Sequence, residues 1–260
     1  MAEAQQYNTS LDSYDNDEGA KNYLDFLESD DGQFFRKTLG DAFLARLGDD
    51  RNQKILDIAC GPGWLTNEVS KTYPNIEGCD GSRLFLEHAR KSYPTLKFGE
   101  ADLNREIPYQ NSEFDTLIFS MAAHDIENQT KTFAELYRIL KPGGKLMVTI
   151  VNPYYSDPVG VWKRGAIGRL LQKMPRLLVR PYHWVASKAS NAPHAVQHNK
   201  TLQRYIYTFS EQINNFANAG FIFNHMEELQ SETDSEKFNL QYTIHRFPLI
   251  IYLEFKKPLQ

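Results

Sequence analysis

Residues 54–64 read Lys54-Ile55-Leu56-Asp57-Ile58-Ala59-Cys60-Gly61-Pro62-Gly63-Trp64. An apolar run that suits a buried strand passes into a glycine turn and then into the start of a helix. Asp80 closes a second apolar run, 17 residues after Gly63. Glycines allow a backbone to approach a ligand closely. The first amides of a helix lack partners within the helix and point at anionic or polar ligand atoms. A carboxylate at the end of the next strand suits the two hydroxyls of a ribose. Together these features predict a nucleoside-bearing cofactor at the carboxyl edge of a parallel sheet.

Working outward, strands and helices alternate. Ile55–Ala59 reads as the first strand, followed by a helix carrying Leu65, Val69 and Tyr73. Ile76–Cys79 is the second strand, and Ser82 suits the cap of a helix with Leu86, Ala89 and Tyr93. Leu96–Glu100 and Phe114–Ser120 are the third and fourth strands, the fourth apolar on both faces. Phe133, Leu136, Tyr137 and Leu140 mark a helix that Pro142-Gly143-Gly144 ends, and Lys145–Val151 is a fifth strand. Such alternation predicts a doubly wound α/β fold with a parallel sheet covered on both faces.

Two helices precede the first strand. One carries Ala20, Tyr23, Leu24 and Leu27, and the other runs over 31–47 with Gly48 as its stop. Residues 1–13 read as frayed, and residues 1–50 as a helical lid over a core at 51–151. After residue 208 the alternation resumes. Thr208 and Glu211 fit a capping box and Gly220 a helix stop. Phe221–Leu229 and Tyr242–Phe255 read as strands with no helix between them, which predicts antiparallel pairing in the closing segment 208–260.

Residues 152–207 interrupt this order and show no clear strands. They hold nine Lys and Arg against one acid, Asp157, which leaves 20 basic and 32 acidic residues elsewhere. A basic insert thus sits on an acidic body, although the net charge is only −4. Ile167, Leu170, Leu171, Met174, Leu177 and Leu178 recur at helical spacing amid arginines and lysines, with Pro175 as a break. Three readings stand: a substrate lid, a lid that admits an anionic or amphiphilic acceptor or rests peripherally on a membrane, and a nucleic-acid groove. Against the third, the aromatics do not form a stacking platform.

The chain of 260 residues is 41% hydrophobic, enough for a substantial core. Its two cysteines, Cys60 and Cys79, lack metal-ligand spacing and read as buried free thiols. No run reaches the ~18 apolar residues of a membrane span, and the acidic, polar N-terminus does not read as a secretory signal. A soluble cytoplasmic protein is expected. Among seven histidines only His194 and His198 stand at i, i+4, without an intervening glutamate, so no metal site is expected.

ILDIACGPG, EGCDGS, GEADLN, FDTLIFSMAAHD and LYRILKPGGKLMV together resemble the motifs of the class I S-adenosylmethionine-dependent methyltransferases. The resemblance covers 54–151 closely and 208–256 in organisation. It implies a seven-stranded sheet whose last strand is antiparallel, S-adenosylmethionine as cofactor, and a small-molecule acceptor. Many members have glycine where this chain has Ala59, which implies a slight displacement of the cofactor. A dinucleotide cofactor competes poorly, because Thr66 replaces the third glycine of its fingerprint.

The resemblance also implies residue roles. Ala59, Cys60, Gly61 and Gly63 would lie against the methionine part. Asp57 would hold the amino group through water or satisfy loop amides. Asp80 would accept both ribose hydroxyls, with Gly81 near the adenine edge. Asp102 and the Leu103 amide would read the adenine, and Ser120 and Met121 would lie under the sulfonium. Tyr14 resembles an N-terminal contact, or else a helix-packing tyrosine. In the loop after the fourth strand, His124 is the candidate base, with substrate contact and loop support as the other readings. Asp125 would orient it or cap a helix. Tyr154 and Tyr155 would line the acceptor pocket or pack under the insert.

Overall fold

A computed structural model describes residues 10–105, 107–152, 195–199, 202–205, 207–229 and 250–259. Five strands form the parallel part of the sheet: β1 (Ile55–Ile58), β2 (Ile76–Asp80), β3 (Lys97–Glu100), β4 (Phe114–Ser120) and β5 (Leu140–Val151). Numbering the remaining strands in chain order, β8 (Ile222–Leu229) and β9 (Ile250–Lys256) complete a seven-stranded sheet of order β3-β2-β1-β4-β5-β9-β8. The last strand, β9, runs antiparallel to both neighbours, as expected.

The strand order reverses between β1 and β4. The chain steps outward from β1 to β3, then returns to the other side of β1. Loops leaving the carboxyl ends of β1 and β4 therefore diverge to opposite faces and open a crevice between them. Ala59–Gly63 leaves one of these ends and Met121 the other.

Alternating side chains sort the core into two layers. Leu56, Ile58, Leu117 and Phe119 face α6 (Gln129–Ile139) and α7 (Phe209–Asn218), where Phe133 stacks on Phe216 at 3.8 Å between ring centroids. Ile55 and Ile118 face the opposite layer, which holds α3 (Asp30–Leu44) and α4 (Trp64–Ser70) through Leu39, Phe43, Leu65 and Val69. By the same alternation Asp57 lies on the α4 side. The helix α5 (Arg83–Ser92) packs on β2 and β3, with Leu86 and Ala89 against Phe98.

Three local expectations change. Residues 10–13, read as frayed, belong with Tyr14 to a short helix, α1 (Ser10–Tyr14), ahead of α2 (Asp17–Glu28). β5 begins at Leu140 rather than Lys145. Phe114 pairs with Leu140 and Thr116 with Lys145, so Pro142-Gly143-Gly144 is a bulge inside the strand, with Gly143 at φ 77°. The insert contains an antiparallel hairpin, β6 (Ala195–Asn199) and β7 (Leu202–Tyr205). Its strands are too short to show a periodic pattern. His198 lies on β6, so helical spacing to His194 does not apply there; His194 itself is outside the described residues. The helical stretch at 167–178, Tyr154 and Tyr155 are also outside them, as are 242–249 of the predicted last strand.

The helix caps follow the sequence reading. The Ser82 hydroxyl accepts from the Phe85 amide at 3.2 Å. The Thr208 hydroxyl accepts from the Glu211 amide while the Glu211 carboxylate accepts from the Thr208 amide, a complete capping box. Among the described residues no helix is long and apolar enough to cross a membrane.

Candidate functional site

The loop after β1 is built from unusual backbone. Ala59, Gly61 and Gly63 have φ of 54°, 54° and 83°. At Gly61 an added Cβ would make only ordinary contacts, 3.8 Å from the Tyr23 ring, so this residue is glycine for its backbone angle. At Gly63 an added Cβ would lie 2.8 Å from the Phe98 ring, so there packing of α4 against α5 and β3 also demands glycine. Ala59 adopts the same left-handed region with a side chain, which costs about 1 kcal/mol.

Asp80, at the end of β2, anchors this loop. Its Oδ2 accepts from the Gly61 amide and its Oδ1 from the Ser82 amide, both at 2.8 Å. Burial pushes its carboxyl up to about 6 despite these donors, and the negative Asp125 adds to the rise. The Gly81 amide acts on the carboxyl as well, and because a carboxylate accepts at about four sites, one remains for another donor. Holding the loop is a structural task for Asp80 that the sequence did not announce.

Asp57 is buried beneath the loop, and the Thr66 hydroxyl donates to its Oδ2 at 2.6 Å. Burial pushes this carboxyl up to about 7, opposed by the hydroxyl and amide of Thr66. These partners lie in the first turn of α4 rather than in the loop. Thr66, noted in the sequence only as a missing glycine, is its partner. Cys60 and Cys79 are free and buried. Burial pushes both thiols upward, which keeps them protonated.

Asp102 follows β3. Its Oδ1 accepts from the Asn104 amide at 3.0 Å, and its Oδ2 lies 3.2 Å from the Arg105 Nε. The neighbouring Leu103 is buried, and its carbonyl accepts from the Thr132 hydroxyl at 2.7 Å. At the end of β4 the Ser120 hydroxyl pairs with that of Thr149 at 3.0 Å. Met121 takes φ 56° as its amide donates to the Thr149 carbonyl. A one-turn 3-10 helix, Ala123–Asp125, follows. It holds His124, 16% exposed, with Nε2 3.6 Å from Asp125 Oδ2.

The N-terminal helices cross this edge. Leu11 of α1 packs over Gly81, where an added Cβ would meet it at 3.0 Å. The Ser82 hydroxyl donates to the Tyr14 carbonyl at 3.2 Å, and Asp15 Oδ1 accepts from the Leu84 amide at 3.3 Å. The Tyr14 hydroxyl donates to Asp125 Oδ2 at 3.5 Å. Tyr14, Tyr23 and Phe85 form an aromatic cluster beside the glycine loop. Tyr14 is thus both a packing residue and a bridge across the crevice. From the insert, β7 packs against α1 and the 3-10 turn. Sequence reading missed Leu11, Asp15 and Thr66. The Tyr14-Asp15 pair and the departure at Thr66 were the signals available.

Among the described residues no group of three or more His, Cys, Asp or Glu could hold a metal ion. The donor set fits S-adenosylmethionine instead. One carboxylate ends β2, another follows β3, and the backbone at Gly61 makes only ordinary contacts with Tyr23 and Phe85.

Known proteins resemble this chain in sequence and fold. Residues 56–148 match the sequence profile of the methyltransferase domain family. Over 111 residues the chain is 33% identical to a malonyl-[acyl-carrier protein] O-methyltransferase of Halalkalibacterium halodurans, covering 40% of this chain and 41% of that protein. Over 172 residues it is 25% identical to a demethylmenaquinone methyltransferase of Paenarthrobacter aurescens, covering 66% and 61%. The chain thus spans less than two thirds of the length of these relatives. In fold it resembles an S-adenosylmethionine-dependent methyltransferase from Mesorhizobium loti, with TM-score 0.59 and 24% identity over 83% of this chain and 97% of that one. Over residues 56–148 the chain carries the sequence of a methyltransferase domain, and its fold is that of the solved S-adenosylmethionine-dependent methyltransferase above.

Proposed function

We propose that the chain binds S-adenosylmethionine along the ends of β1, β2 and β3 and directs its methyl group to a small organic acceptor. One observation carries the reading. The Asp80 carboxylate closes on the left-handed Gly61 loop at 2.8 Å, at the switch point of the sheet.

Asp80 and Asp102 would hold the ribose and adenine, and the backbone at 59–63 the methionine part. The cofactor, when bound, supplies a methyl group already activated for in-line displacement. The protein's task is then alignment and exclusion of water. The α1–α2 junction and the β6–β7 hairpin, which meet over the turn after β4, support that task. His124 in that turn serves as an acceptor contact and, where the acceptor gives up a proton, as its base.

The insert at 152–207 is read as the acceptor lid. Its excess of basic residues favours an anionic or amphiphilic acceptor. The relatives' names, malonyl-[acyl-carrier protein] and demethylmenaquinone, point the same way and away from nucleic acid. Calorimetric titration with S-adenosylhomocysteine tests cofactor binding. Heat that Asp80→Ala removes supports the reading, whereas folded protein giving no heat rejects it. Turnover on a panel of anionic and quinone-like acceptors tests the acceptor class. Binding without turnover on any of them would favour a binding module, and a salt-sensitive shift of RNA would favour a nucleic-acid substrate.

A further inference from the structure

A buried carboxylate, Asp57, and a partly buried one, Asp80, flank the glycine loop, and among the described residues no cation pairs with either. Asp57 lies beneath it on the α4 side, with the Thr66 hydroxyl at 2.6 Å as its side-chain partner. Asp80 lies at the end of β2, tied to the Gly61 and Ser82 amides. Among the described residues, the titratable groups that act on Asp57 and Asp80 include Asp80 itself on Asp57, Asp125 of the turn after β4, Cys60 of the loop and Cys79 of β2. Every one of these is acidic or neutral. Asp125 is flanked in turn by the Tyr14 hydroxyl at 3.5 Å and His124 Nε2 at 3.6 Å, and Asp15 by Arg83 at 3.6 Å.

Such a pair resists double ionisation for two reasons. Burial disfavours each charge, and each charge disfavours the other. Burial pushes Asp57 up to about 7 and Asp80 up to about 6. The cofactor class proposed above brings donors: two ribose hydroxyls and an ammonium. Donors and cations favour the ionised carboxylate.

We propose that ligand binding drives a proton out of the Asp57–Asp80 pair into solvent, and that Thr66 is the positioning residue that sets the pH range of this linkage. The inference rests on the cofactor reading above and goes beyond it. No bond other than O–H is broken: the carboxyl proton passes to buffer and the carboxylate keeps the electron pair. The consequence is cofactor affinity that weakens as pH falls below neutrality, by at most about tenfold per unit for one linked proton. Thr66 acts through Asp57. Its hydroxyl stabilises the ionised form, so its removal moves the range upward.

The test is calorimetry with S-adenosylhomocysteine at pH 6.5 and 8.0, each in two buffers of different ionisation enthalpy. The expected result is a heat that depends on buffer at the lower pH and not at the higher. Asp57→Asn should shrink the buffer-dependent part, and His124→Gln should leave it unchanged. Thr66→Val should raise the midpoint of the affinity profile, and Thr66→Ser should restore it. Equal heats in both buffers at pH 6.5, with binding intact, overturn the linkage and leave the cofactor reading standing. A difference that persists in Asp57→Asn but vanishes in His124→Gln overturns the assignment of the proton. Equal shifts in the Val and Ser variants overturn the role of Thr66. Absence of heat at every pH removes both readings together.

Discussion

The Tyr14 hydroxyl reaches Asp125 Oδ2 at 3.5 Å across 111 residues of sequence. Tyr14 ends α1, and Asp125 ends the one-turn helix after β4. Their contact spans the crevice between the two halves of the sheet, and the Tyr14 carbonyl is held at the same time by Ser82. Tyr14→Phe removes the outer tie and keeps the ring in its aromatic cluster. Because the hydrogen bond is long, the effect should be modest: about threefold to tenfold weaker binding of S-adenosylhomocysteine, mostly as faster dissociation. Stopped-flow release measurements check this. An unchanged off-rate would deny the tie any part in retaining ligand.

Asp80 has two tasks, and its variants should separate them. Asp80→Ala leaves the Gly61 and Ser82 amides without their acceptor and removes the carboxylate from the ribose position. Loss of two charge-assisted hydrogen bonds corresponds to affinity reduced by about 100-fold or more. Asp80→Asn keeps one acceptor oxygen and should retain more affinity. Equal affinities for the two variants, measured by calorimetry, would show that loop anchoring contributes nothing.

Ala59 and Gly63 share a left-handed backbone but should respond oppositely to substitution. Ala59→Gly relieves a strained angle of 54° and should raise stability by about 1 kcal/mol. Gly63→Ala drives a methyl group into the Phe98 ring at 2.8 Å and to 3.1 Å from Ala89. It should lower stability by about 2 kcal/mol or more. Urea denaturation midpoints decide both, and a destabilised Ala59→Gly would contradict the strain argument.

The raised Asp57 carboxyl makes stability depend on pH in a defined direction. Its native value of about 7 exceeds the ordinary 3.8 because burial penalises the charge. The folded chain then holds a proton that the unfolded chain releases. This contribution is complete below the lower value and is lost as pH rises toward the upper one. The slope is at most about 1.4 kcal/mol per pH unit within that window. Asp57→Asn should therefore melt above the wild type at pH 8 and level with it near pH 4, without ligand. A gap of equal size at both pH values would place the effect in packing rather than ionisation.

Much of the fold was legible because it repeats a simple rule. Apolar runs such as Phe114–Ser120 are buried on both faces, and the turns between elements carry Gly, Pro or capping side chains. The run Lys54–Trp64 showed where strand, loop and helix meet, and Asp80 and Asp102 announced themselves by standing at strand ends. Short or irregular pieces were less legible. The α1 turn is five residues long, and the β6–β7 hairpin has strands of five and four. Neither offers enough periods to read. Pro142-Gly143-Gly144 reads as a simple turn from sequence, because local residues cannot tell whether their neighbours continue a ladder.

Local pattern along the chain specifies most of the core strands and helices, the mainly parallel sheet and the position of the glycine loop. These follow from side-chain size, polarity and spacing, which are properties of neighbours along the chain. Packing in three dimensions adds that Thr66 answers Asp57, that Asp80 holds Gly61, and that Tyr14 reaches Asp125. Those pairings depend on the order of strands in the sheet, which brings the ends of β1, β2 and β4 together. Burial there raises the carboxyls, and burial is a property of the whole packed molecule rather than of any residue in it.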